Sequence, residues 1–185
     1  MARVILVRHC ESEANRAGPE GGGSDSPLSA RGRAQAEPVR CSFEALAPRM
    51  ARGAALVASH LRRATDTAAA IGAALGLEVE REPRLGAGET HRERYDLDDP
   101  ATLLVVGADV LAALAQRIDA GADPLIIVSH RYAIWALLSV LYGERGTAIM
   151  DELDNLGNGD RLELELLAGA SPAEPIHTPL ALACR

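Results

Sequence analysis

Three short runs of apolar residues punctuate the chain: Val4-Ile-Leu-Val7, Ala54-Ala-Leu-Val-Ala58 and Leu125-Ile-Ile-Val128. None alternates as a strand with one wet face would, so each predicts a strand covered on both sides, the first spanning Arg3 to Val7. Between them the period lengthens. Leu28 to Glu37 reads as a helix capped by Ser29, with Pro38 expected to disturb or end it and the stretch to Met50 ambiguous. Arg62 to Leu75 is an alanine-rich helix with Gly76 as its C-cap. A further helix starts at Asp99-Pro100 and runs to Ala120, with a break near Gly107, and Ala133 to Leu141 is another. Leu77 to Glu80 predicts a short strand, and the alternating Leu162-Glu-Leu-Glu-Leu166 predicts one at the sheet edge. Gly18 to Pro27, with three consecutive glycines, and the polar segment from Arg81 to Pro100 read as loops. The tail after Ala168 predicts nothing.

Buried strands separated by helices imply an α/β fold, a three-layer αβα sandwich around a mainly parallel sheet. In such a fold ligands bind beyond the carboxyl ends of the strands. Each of the three buried runs is followed there by polar residues: Arg8-His9, Ser59-His60 and Ser129-His130. Chemistry is expected at that rim. The chain is read as one domain over residues 1–185, with no internal repeat or linker.

Composition narrows the chemistry. There are 19 basic against 26 acidic residues, a net charge of −7, which argues against a partner such as nucleic acid or an anionic membrane. All the basic side chains are arginine, since the chain contains no lysine. That excludes a lysine-dependent phosphate loop and Schiff-base catalysis, including pyridoxal phosphate, so no cofactor is expected. The three cysteines, Cys10, Cys41 and Cys184, have no metal-binding spacing, and their odd number argues against a disulfide framework. With no secretory leader and no apolar run approaching ~20 residues, the expectation is a cytoplasmic protein without a membrane span.

Arg8-His9 with Glu11, Ser12 and Asn15, Pro27-Leu-Ser-Ala-Arg-Gly32 with Gln35-Ala36, Ser59-x-Leu-x-Arg63-Ala-x-x-Thr67-Ala, and Val128-Ser-His130 occur in this order. Together they resemble the histidine phosphatase superfamily, the phosphoglycerate-mutase-like proteins. The resemblance implies that His9 attacks phosphorus, one ring nitrogen being held by a backbone carbonyl so that the other is unprotonated. Arg8, Arg63 and His130 would surround the phosphoryl oxygens, stabilising their charge with no metal, and Asn15 would donate a further hydrogen bond. The implied partner is a small phosphorylated substrate, and the implied reaction is hydrolysis of a phosphomonoester. A mutase and a degenerate, binding-only member are the alternatives.

The chain departs from the family pattern in three places. Where many members have an acid one residue beyond an Arg-Leu pair, Arg84-Leu85 is followed by Gly86-Ala87. Glu89 is therefore assigned as the acid, with Glu93 next, because Gly86 and Gly88 let the loop turn inward. Cys10 replaces the usual glycine after the histidine, and Arg131, after His130, is a candidate substrate contact. The pattern His9-Cys10-x5-Arg16 is also similar to cysteine-dependent phosphatases, but Glu11 and Glu13 make a poor setting for a thiolate. His60 is expected to be exposed or to cap a helix, His91 is a minor candidate for the pocket, and His177 is expected to be uninvolved.

Overall fold

The computed structural model describes residues 2–18, 25–50, 53–86, 99–153, 156–166 and 175–179. A six-stranded sheet has the order β3-β2-β4-β1-β5-β6, with β1 at Ala2–Arg8, β2 at Ala55–Ala58, β3 at Val79–Arg81, β4 at Leu125–Ser129, β5 at Arg161–Leu166 and β6 at Ile176–Thr178. The first four are parallel, in the register Arg8 to Ser129 and Ala58 to Val128. β5 and β6 run antiparallel. The alternating segment is therefore not the edge: β6, from the tail the sequence left unread, covers it.

The helices are α1 (Glu13–Arg16), α2 (Ala30–Leu46), α3 (Arg62–Leu75), α4 (Pro100–Asp119), α5 (Arg131–Tyr142) and α6 (Glu144–Glu152). α2 and α3 cover one face, where Val39, Phe43, Ala64, Ala68 and Ile71 pack with Ile5, Val7, Ile126 and Val128. α4, α5 and α6 cover the other, meeting Val4, Leu6, Leu125 and Ile127. Burial on both faces explains why the strands read as continuous apolar runs.

Two expected interruptions do not occur. α2 continues through Pro38 to Leu46. A proline inside a helix costs about 3 kcal/mol, but stopping there would forfeit the burial of Val39 and Phe43, both 1% exposed. Each such side chain contributes roughly 1.5–3 kcal/mol, so packing wins. α4 likewise runs unbroken through Gly107, where a Cβ would fall 2.2 Å from the Ala136 carbonyl oxygen. The glycine serves close approach of α4 to α5, and does not mark a bend. α4 also corrects the expectation about apolar length, being long and apolar enough, by length and composition, to cross a membrane. In this fold its Leu103, Val106, Val110 and Leu114 pack into the core.

Candidate active site

The carboxyl ends of β1, β4 and β2 finish side by side. Backbone hydrogen bonds continue past the strands, from His9 N–H to the Ser129 carbonyl (3.0 Å) and from Ser59 N–H to the Val128 carbonyl (2.9 Å). His9, Ser59 and His130 therefore meet at one rim. α3 begins just beyond β2 and brings Arg63 to the same point from its first turn. His9, Arg63 and His130 are 4%, 2% and 0% exposed, so the basic groups lie within the protein.

The His9 imidazole is held in a defined way. Its Nδ1 lies 2.7 Å from the Cys10 carbonyl oxygen. A carbonyl only accepts, so Nδ1 carries the proton and Nε2 keeps its lone pair. Arg63 Nε donates to that Nε2 at 3.3 Å. Burial, reinforced by the charges of Arg63 and Arg8 and partly opposed by the Cys10 hydrogen bond, pushes the His9 pKa down to about 3. The ring is neutral under ordinary conditions, as a nucleophile requires.

His130 lies 5.0 Å from His9, centroid to centroid, with the rings at 60°. Its Nε2 is 2.8 Å from Ser59 Oγ, and its buried Nδ1 has no hydrogen-bond partner among the described residues. Burial holds its pKa well below the usual value, with His9, Arg63, His60 and Arg8 adding to the effect. Thr67 ties the two halves together, accepting from the Cys10 N–H (3.0 Å) and donating to the Arg63 carbonyl (2.8 Å).

Residues 156–160 form the support on the other side. Arg8 Nη1 donates to the Leu156 carbonyl at 2.5 Å, Arg8 N–H donates to the Asp160 carbonyl and Gly159 N–H to that of Arg8, both at 3.0 Å. Asn158 Nδ2 donates to the His9 carbonyl at 2.9 Å. Leu156 has φ of 50°, a conformation that side chains with a Cβ rarely adopt. The sequence offers only the turn-forming Asn158-Gly159-Asp160 as a hint of this role, and nothing that would single out Leu156. His177, set aside on sequence, reaches the same turn, its Nε2 lying 3.1 Å from Asp160 Oδ2.

The remaining expectations divide. Asn15 reaches the site through Asn158, whose Nδ2 lies 3.4 Å from its Oδ1, but that Oδ1 also accepts from Ser12 N–H (3.0 Å) and Oγ (3.1 Å) in a capping box for α1. This leaves the amide nitrogen as the end suited to a ligand oxygen. Arg131 is exposed and opens α5 beside His130. Cys10 is fully buried without positive φ, packed in the core with Ile5, Val7 and Leu28, and burial pushes its thiol up to about 11. That opposes a cysteine nucleophile. His60 is half-buried, contrary to the reading as an exposed or capping residue. Glu89, Glu93 and His91 lie outside the described residues.

Residues 4–87 match the model of the histidine phosphatase superfamily (branch 1). A Serratia proteamaculans protein named "Probable phosphoglycerate mutase GpmB" is 41% identical over 171 residues, covering 77% of this chain and 76% of its own. The chain therefore belongs to the histidine phosphatase superfamily. Among solved structures, a mycobacterial glucosyl-3-phosphoglycerate phosphatase in complex with VO3 is similar at 26% identity, covering 96% of this chain and 97% of that one with a TM-score of 0.69. A phosphoserine phosphatase mutant from Entamoeba histolytica, in complex with phosphoserine, shares the fold at 22% identity with a TM-score of 0.64, covering 96% and 95% of the two chains.

Proposed function

We propose that this protein hydrolyses a small phosphomonoester through a phosphohistidine on His9. The observation that carries the reading is the Nδ1 contact to the Cys10 carbonyl, which leaves Nε2 unprotonated within a buried cluster of cationic and imidazole groups. His9 Nε2 attacks phosphorus, forming the N–P bond as the ester P–O bond breaks. Arg8, Arg63 and His130 hold the phosphoryl oxygens, and their fixed dipoles and charges stabilise the transition state without solvent rearrangement. Asn15 and Arg131 are the proposed further substrate contacts. Their setting supports this: Asn15 Oδ1 lies 3.4 Å from Asn158 Nδ2, which donates to the His9 carbonyl, and Arg131 opens α5 directly after His130. The leaving oxygen takes up a proton, a task the sequence assigns to Glu89. Water then attacks the phosphohistidine, releasing inorganic phosphate and neutral His9. No metal or cofactor enters these steps.

Hydrolysis is preferred to a mutase because the mycobacterial phosphatase matches over nearly the whole chain, although the Serratia relative carries a mutase name. The test is a phosphomonoester panel with rapid acid-free quenching. Wild type is expected to release phosphate and to trap an acid-labile phosphoryl group that His9→Ala cannot form, with turnover falling at least about 10⁴-fold in that variant. Isomerisation of 3-phosphoglycerate without phosphate release would favour the mutase. Binding of a phosphomonoester with no phosphoenzyme would favour the degenerate reading.

A further inference from the structure

The site contains a third imidazole for which the mechanism above has no use. His60 follows Ser59 at the end of β2, and its ring lies against Gly86, in the turn that follows β3. A Cβ built on Gly86 would fall 2.9 Å from His60 Cε1, 2.9 Å from Ser59 Oγ and 3.1 Å from His60 Nδ1. Any side chain at position 86 would collide with that ring, so the glycine makes the space the imidazole uses. The turn is itself pinned to the site, since Ser129 Oγ donates to the Leu85 carbonyl at 2.7 Å. His60 Nδ1 is buried and has no hydrogen-bond partner among the described residues. A buried polar atom with nothing to bond is costly and calls for a reason.

Depth supplies that reason. His9 and His130 are closed off from solvent, while His60 is half-buried. In-line displacement puts the leaving oxygen on the side of phosphorus opposite His9 Nε2, and the bulk of a substrate must extend toward solvent. A proton donor is needed on that outer side. Several other titratable groups among the described residues are poorly suited. Arginine does not give up its proton. Cys10 is buried with its thiol pushed up to about 11. Glu11 is occupied by Ser29 Oγ and Arg31, and Glu82 by Arg84 and Arg117.

We propose that His60 is the proton donor to the leaving oxygen, the ring passing its proton to the ester oxygen as the P–O bond breaks and recovering one from water as the phosphohistidine is hydrolysed. This rests on the His9 reading. It replaces Glu89, the residue the sequence assigns to that step.

The test compares kcat/KM for phenyl phosphate, whose leaving group needs a proton, with 2,4-dinitrophenyl phosphate, whose leaving group departs without one. In His60→Gln the first is expected to fall by about 100-fold, the size of a general-acid effect, and the second by less than about threefold. Imidazole added to His60→Ala should restore phenyl phosphate turnover, which a merely structural role would not allow. Equal losses on both esters, no rescue, or the selective loss appearing in Glu89→Gln while His60→Gln behaves as wild type would each overturn the proposal and leave the His9 chemistry standing. Wild type that turns over neither ester and traps no phosphoenzyme would overturn both.

Discussion

His9 and His130 leave neighbouring parallel strands one residue beyond the paired Arg8 and Ser129, yet their rings are held by different kinds of partner. His9 faces a backbone carbonyl, and His130 a serine hydroxyl. A carbonyl can only accept, so it fixes one tautomer and commits one nitrogen to nucleophilic attack. A hydroxyl can donate or accept, so His130 can present Nδ1 either as donor or as acceptor while Ser59 adjusts. The same residue type is thus given a rigid role at one strand end and an adaptable one at the next, by the partner alone. The adaptable ring suits contact with a phosphoryl group whose oxygens change charge during transfer.

The contrast can be broken from either side. Arg63→Ala removes the cation that contacts His9 Nε2 and is expected to lower kcat/KM by about 10²–10³-fold. A loss under about tenfold, measured on the best ester of the panel, would mean that Arg63 does not face the transferring group. The pH dependence of stability sharpens the burial half of the argument. Folded His9 stays neutral down to about 3, whereas the unfolded chain takes up a proton at about 6.5. Stability is therefore full above that value and lost as pH falls through it, by about 2 kcal/mol at about pH 5. Urea unfolding at about pH 7.5 and about pH 5 should show a smaller difference for His9→Gln than for wild type; equal differences would show that the ring is not shielded. Carboxylates such as Glu82, held at about 2 by Arg84, act below this window. The smallest effect is expected for Ser59→Ala, which deprives His130 of its partner and should reduce turnover by about tenfold, the worth of one buried hydrogen bond. No change there would make the hydroxyl a bystander.

The sheet and most of the helices were legible because burial on two faces writes itself as uninterrupted apolar runs, and because Arg62 to Leu75 ends at Gly76, whose φ of 68° is the left-handed cap the sequence predicts. Pro38 and Gly107 misled because both act locally, while the helices through them are held by distant partners, the sheet residues Ile5 and Val128 for α2 and Ala136 of α5 for α4. At the site, the residues that would touch phosphate carry their chemistry in their side chains and could be picked out. Of those that support them, Ser59 and Thr67 fell within the motifs, and Leu156 did not. Leu156 contributes a carbonyl, which every residue has, and the use made of it follows only from Arg8, 148 residues away in sequence. His60 was misplaced for a related reason: the room its ring occupies depends on what Gly86 lacks.

The position of β1 in the sheet has a bearing on biosynthesis. β1 is made before both strands it is hydrogen-bonded between, β4 and β5, and Arg8 is secured by residues 156–160. Until the ribosome has released those later segments, the nascent chain presents a bare apolar strand with two open edges, a hazard for aggregation. On the reading above it would also lack a competent phosphate pocket until residues 156–160 have been made.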